Sequence, residues 1–302
     1  MSMLAAGVMA MNTFRRGPMR FFQTGGKASI PVRRSRSALI LAGAALALLS
    51  ACATAPATKL WKDFSDHPAG YLTKATAMNA AAFLPPWPAE GTPRDQSDRA
   101  IFRATRVLEG SARWTQATED AELETPRAPF KAFACALGVE IDPTKAPALT
   151  RLLGSVEPDV DLVLNQAKAA MHRPRPFLSN DGPICVARAD WLVKSGSYPS
   201  GHSAAGWAWG LTLSRLAPDR QEAITKRALA YGESRVVCGV HYASDVEAGR
   251  VVGATVIARL QNDPAYRADL KAAKRELDAA RAAGAPPTRC ASEAQALANP
   301  AY

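Results

Sequence analysis

The chain has 302 residues, 37 basic and 27 acidic side chains, a formal net charge of +10 and 48% hydrophobic residues. That composition excludes a disordered polar chain, a collagen-like repeat and a disulfide-dense mini-protein. The charge is uneven: residues 1–51 hold seven basic side chains and no acidic one, whereas 52–302 hold 30 basic and 27 acidic. A chain-wide basic surface for nucleic acid is therefore not expected.

Taken in chain order, the first feature is an address. Ala38–Ala51 is an uncharged run behind Arg33, Arg34 and Arg36. A positive region followed by a short apolar one is the pattern of a signal peptide. The run is shorter than the ~20 apolar residues that span a bilayer. Leu49-Ser50-Ala51-Cys52 resembles a bacterial lipobox, with lipid attached to the Cys52 thiol and Ala53 pointing to the outer membrane. Ordinary cleavage near Ala51 is the rival reading, and Met19 is an alternative start. The segments expected are a signal peptide at 1–51, a tether at 52–74, the main domain at 75–262, and a terminal helix and tail at 263–302.

Export bears on the cysteines. Besides Cys52 there are four: Cys135, Cys185, Cys238 and Cys290. An even number in an oxidising compartment predicts two disulfides, with three connectivities open. A zinc site is disfavoured, because no Cys-x-x-Cys pair or His/Cys cluster occurs.

Residues 53–96 are rich in Ala, Pro and Thr, which predicts a tether running into an extended, wrapping arm. From Asp95 the spacing turns helical, with Ala100, Ile101, Ala104 and Leu108 on one side. Further helices are expected at 113–123, 127–138, 146–154, 157–171, 203–216, 219–232 and 244–261. Residues 264–283 mix both charge signs at helical spacing and read as a solvated terminal helix. Strand and hairpin signals are lacking, so the expectation is an all-α, single-domain helical bundle.

Three stretches carry chemistry. They are Lys168 to Pro176, Gly196 to Ser203, and Ser234 to Asp245. Together they offer Lys168, Arg175 and Arg235 as cations, His202 and His241 as imidazoles, Asp245 as a carboxylate, and a Ser200-Gly201 turn. Arginine's planar fork matches phosphate oxygens, and lysine adds a point charge. A Ser-Gly helix start presents bare N–H groups to an anion. The set suits a tetrahedral dianion with neither metal nor cofactor. Asp245 lies four residues after His241, close enough to fix its tautomer and leave the other ring nitrogen as nucleophile. His202 has no nearby carboxylate and suits general acid–base work. Arg173 and Lys194 read as solvated charges; His67 and His172 read as exposed or structural.

These blocks resemble the phosphatase motif of the phosphatidic acid phosphatase type 2 superfamily: Lys-x6-Arg-Pro, Pro-Ser-Gly-His, and Ser-Arg-x5-His-x3-Asp. All the specified residues are present. A closer resemblance is to class A bacterial nonspecific acid phosphatases. Gly196–His202 looks like their signature, with Ser203 where Thr is usual, and Cys238–Arg250 looks like their final motif. Leu84-Pro85-Pro86, Arg113-Trp114 and Asp120-Ala121 resemble their N-terminal half. The resemblance covers roughly 75–262 and departs in the lipid anchor.

It implies a bundle of the phosphatase/haloperoxidase type that hydrolyses phosphate monoesters of broad specificity, without metal or cofactor, through a phosphohistidine. Lys168, Arg175, Ser200, Gly201 and Arg235 would hold phosphate. His241 would attack, Asp245 would orient it, and His202 would act as acid, then base. Vanadate-like oxyanions would inhibit. A homodimer, a periplasmic location and membrane attachment only through the N-terminal lipid are further expectations. The rivals are a lipid phosphatase or phosphotransferase on the same site, a vanadium haloperoxidase, and a non-catalytic anion-binding lipoprotein.

Overall fold

The computed structural model describes Lys62, residues 66–298 and residues 301–302. Cys52 and the 1–51 segment lie outside the described residues. Ten α-helices form, with no strand among the described residues: α1 Pro93–Thr105, α2 Ala112–Glu119, α3 Ala128–Leu137, α4 Pro147–Met171, α5 Asp190–Lys194, α6 Gly201–Leu216, α7 Gln221–Val237, α8 Ala243–Leu260, α9 Pro264–Ala283 and α10 Cys290–Ala296. The all-α expectation holds. None of the described helices is long and apolar enough to cross a membrane.

The core forms where α4, α6, α7 and α8 meet, around Leu153, Val160, Trp209, Tyr231, Val252 and Val256. Helix α4 corrects one expectation. It runs unbroken for 25 residues with Pro158 inside, where the sequence suggested two helices. Internal proline costs a helix about 3 kcal/mol. Leu152, Leu153, Val156, Val160 and Val163 are all fully buried along it. At roughly 1.5–3 kcal/mol for each such side chain, their burial outweighs the proline.

Helix α1 is a second correction. It starts at Pro93, two residues before the expected Asp95, with Thr92 as its cap accepting from Asp95 N. Its buried residues, however, are Asp95, Asp98, Phe102 and Thr105. Ala100 and Ala104 are exposed, and Ile101 and Leu108 half-buried. The helix turns a polar side inward because Asp98 pairs with a buried arginine described below.

Helix α9 is solvated on one side only. Tyr266, Ala273 and Leu277 are buried, at spacings that make one stripe, and Leu270 and Ala280 pack beside them.

The proline-rich arm wraps the bundle. Backbone N–H groups of Tyr71 and Leu72 donate to the buried Asp159 carboxylate at 3.0 and 2.8 Å. Trp87 Nε1 donates to Met171 O at 2.7 Å, and Tyr198 Oη donates to Pro85 O at 2.8 Å. Anchoring thus begins before residue 75.

Two contacts position the site. Helix α8 lies against α6 so closely that a Cβ on Gly249 would sit 2.4 Å from Ser200 O, and one on Gly253 2.4 Å from Ala204 O. Glycine is needed at both for close approach, not for its dihedral freedom. Disulfides Cys185–Cys238 and Cys135–Cys290 realise one of the three open connectivities. The first ties the loop before α5 to the end of α7; the second ties α10 to α3.

Candidate active site

The three stretches, far apart in the chain, line one cavity of about 620 Å³. Lys168, Arg175, Gly201, His202, Arg235 and His241 all border it. Ser200 and Asp245 are fully buried behind them.

Lys168 stands in the last turn of α4, where a cation is favoured by the helix dipole. Its Nζ donates to Gly196 O at 2.6 Å. Burial and the nearby Arg175 push its pKa down to about 7. Arg175 follows in an extended segment set by Pro174 and Pro176. It donates to Ser195 O and Val240 O, at 3.1 and 3.0 Å, and to Ser195 Oγ at 2.9 Å. Arg235 lies in the last turn of α7. It is 3% exposed, and its Nε and Nη1 find no hydrogen-bond acceptor among the described residues. A buried guanidinium without acceptors marks a place for an anion. Burial lowers the pKa of both arginines to about 10, so both remain charged at neutral pH.

The Ser200-Gly201 turn opens α6. Ser200 caps it, its Oγ accepting from Ser203 N and Ser203 Oγ at 3.4 and 2.8 Å. Ser200 N donates to Asp245 O at 3.0 Å, which joins the starts of α6 and α8. The first N–H groups of α6 therefore open on the cationic cavity.

The imidazoles differ in their partners. His241 Nε2 is 3.1 Å from Arg175 Nη1. Its Nδ1 lies 3.5 Å from Asp245 Oδ2, an ion-pair approach rather than a hydrogen bond. The Ser197 backbone carbonyl also faces this ring. Asp245 is mainly engaged elsewhere: Oδ2 accepts from Tyr242 N at 2.8 Å, and Oδ1 pairs with Arg173 Nη1 at 2.7 Å. His202 sits in the first turn of α6, its Nε2 3.0 Å from Ala121 O. Burial, then the surrounding cations, hold both imidazoles well below the usual histidine range.

Arg173 corrects the reading as a solvated charge. It is 2% exposed, pairs with Asp98 at 2.9 Å as well as with Asp245, donates to Ser244 Oγ at 2.8 Å, and stacks 4.0 Å from the Tyr242 ring centre. Helix α1 hides Asp98 to meet it. Lys194 is solvent-exposed, as expected. The serine that opens the third block, Ser234, does not border the cavity. It donates to Asp120 at 2.6 Å and accepts from Arg113 at 2.9 Å, bracing α7 on α2. Asp98 and Ser195 carried no local sequence signal, because each acts across the fold.

Comparison with known proteins agrees with this architecture. The PAP2 superfamily model matches residues 152–268, which contain all three motif blocks. An acid phosphatase of Zymomonas mobilis is 40% identical over 201 residues, 66% of this chain and 75% of that protein. A non-specific acid phosphatase of Providencia stuartii is 38% identical, covering 68% of this chain and 84% of its own length. One from Salmonella typhimurium is 35% identical, over 67% of this chain and 81% of its own. The chain belongs to this bacterial acid phosphatase family within the PAP2 superfamily.

Proposed function

We propose that the protein is an acid phosphatase that hydrolyses phosphate monoesters of broad specificity, without metal, through a phosphohistidine. One observation carries the reading: two imidazoles border the same cavity as three cations and an open helix start. Anion binding alone needs no such pair of imidazoles.

Lys168, Arg175, Arg235, Ser200 and the Gly201 N–H hold the phosphoryl oxygens. A phosphate oxygen takes the Arg175 Nη1 donor that lies against His241 Nε2, and frees that lone pair. Nε2 attacks phosphorus while the ester P–O bond breaks. His202, protonated, gives its proton to the leaving alkoxide. With Nε2–H directed to the Ala121 carbonyl, Nδ1 is the His202 nitrogen that exchanges the proton. Water then attacks phosphorus, His202 takes the water proton, and the P–Nε2 bond breaks to release phosphate and the neutral ring. Asp245 and the Ser197 carbonyl orient His241 and stabilise it as positive charge develops. Fixed cations stabilise the transition state by positioning and charge.

The substrate dianion supplies negative charge beside His202, offsetting the cations that depress its pKa and letting it carry the proton in acid. The sequence supports export, with periplasmic residence and a lipid at Cys52. Release of p-nitrophenol from its phosphate at acid pH in the presence of EDTA tests the proposal. Activity is expected, with inhibition by vanadate. His241→Ala should lose at least about a thousandfold in kcat, as expected for loss of a nucleophile. Full activity in that variant would reject the assignment.

A further inference from the structure

The catalytic cavity is electrically two-ended. Its floor holds Lys168, Arg175 and Arg235. Its lining also holds Asp161, two turns along α4 from Lys168, and Glu124. Among the described residues Asp161 makes no hydrogen bond or ion pair, and Glu124 is exposed with only its backbone carbonyl engaged, 3.2 Å from His67 Nε2. Glu122 borders the cavity too, but its carboxylate is occupied by Thr125 Oγ1 and faces Lys131. The unpartnered, fully buried Arg235 guanidinium marks the phosphate end independently. The same lining has an apolar share from Leu123, Leu164, Leu192 and the 61% exposed Trp191.

Helix α4 supplies a ruler. Asp161 and Lys168 are seven residues, two turns, apart, with Leu164 and Asn165 between them on the cavity side. At 1.5 Å per residue that is about 10 Å. A carboxylate in a half-buried cavity repels a second anion and attracts a cation.

We propose that this part of the cavity is a leaving-group subsite for phosphate monoesters whose alcohol carries a cationic amine within about 10 Å of phosphorus. Asp161, seconded by Glu124, receives the amine, and an aromatic or apolar spacer lies along Leu164 and Trp191. The inference rests on the phosphatase reading and names the substrate class for that site. Esters with further negative charge in the leaving group, such as nucleoside polyphosphates, are disfavoured by the same carboxylates.

Burial pushes the Asp161 carboxyl up to about 7. The charged groups around it are Glu157, Lys168, His67 and Glu124. Amine preference should therefore be small in acid and grow through about pH 7, as the carboxyl ionises, so the ester pair below is compared at about pH 7.5.

The test uses para-aminomethylphenyl phosphate against para-hydroxymethylphenyl phosphate, a pair matched in size, with each ratio divided by that of the uncatalysed hydrolyses to remove the difference in phenol acidity. The wild-type chain should show kcat/KM about fivefold or more higher for the amine, within the range of a half-buried ion pair. The ratio should fall to near one in Asp161→Asn and partway in Glu124→Gln. Because both esters are measured on one preparation, inactive protein cancels in the ratio. Equal kcat/KM for the pair in the wild type, or an unchanged ratio in Asp161→Asn, overturns the subsite while p-nitrophenyl phosphate turnover upholds the phosphatase reading. No turnover of p-nitrophenyl phosphate overturns both.

Discussion

Lys168 should set the upper pH limit for binding oxyanions. Its pKa is pushed down to about 7 by burial and by Arg175. Below that pH it is a cation donating to phosphate; above, it is a neutral amine. A hydrogen bond to a charged group contributes about 1.5–3 kcal/mol, or roughly 10- to 100-fold in affinity. The bound dianion raises the lysine pKa by the equivalent one to two units. Affinity should thus begin to fall at about pH 7, by up to tenfold per unit, and level off one to two units higher. Sulfate is the useful probe, because it stays a dianion throughout. Its inhibition constant against p-nitrophenyl phosphate, or its binding heat, would be followed from about pH 6.5 to 9. Both site histidines are held below this window. Asp161 titrates within it, and its new negative charge also weakens sulfate. Lys168→Met separates the two: the carboxylate's share survives the substitution and the lysine's does not. Sulfate affinity that is flat with pH in the wild type, or a wild-type slope retained in Lys168→Met, would refute the reasoning.

Other consequences can be checked directly. His202→Ala should lower kcat/KM, which reports the first phosphoryl transfer, by about 10²–10⁴ for alkyl phosphates but much less for p-nitrophenyl phosphate, since p-nitrophenolate leaves without a proton; equal losses of kcat/KM on both would argue against a general acid. Arg173→Met strands the Asp98 and Asp245 carboxylates in the core and should cost about 3–5 kcal/mol in urea unfolding. Gly249→Ala drives a methyl against Ser200 O and should cost about 1–3 kcal/mol. It should also weaken sulfate binding, because the Ser200-Gly201 turn must move; unchanged sulfate affinity would show that the α6–α8 approach does not set the anion site.

Much of this was legible in the sequence. Helical periodicity, the lack of strand signals and the spacing of Lys168, Arg175, His202, Arg235 and His241 carry the all-α class and the candidate site, because they depend on local pattern and residue chemistry. Local pattern failed where burial over distance decided the outcome. It split α4 between residues 154 and 157, just before Pro158, although packing on both sides holds one rod. It gave α1 an apolar inner face, although the buried face carries Asp98. It left Arg173 in solvent beside Arg175, although chemically identical side chains two residues apart have different partners.

The tertiary structure alone decided which cysteines pair, where Asp245 spends its oxygens and which carboxylates share the cavity with the cations. Each of these is a distance between residues remote in the chain. Residue type states what a group can do; only the packing of α1, α4, α6, α7 and α8 sets how much water it loses and which charge stands beside it. Desolvation and neighbouring charge bring Lys168 to about 7 and hold the imidazoles low, and neither has a local sequence signature.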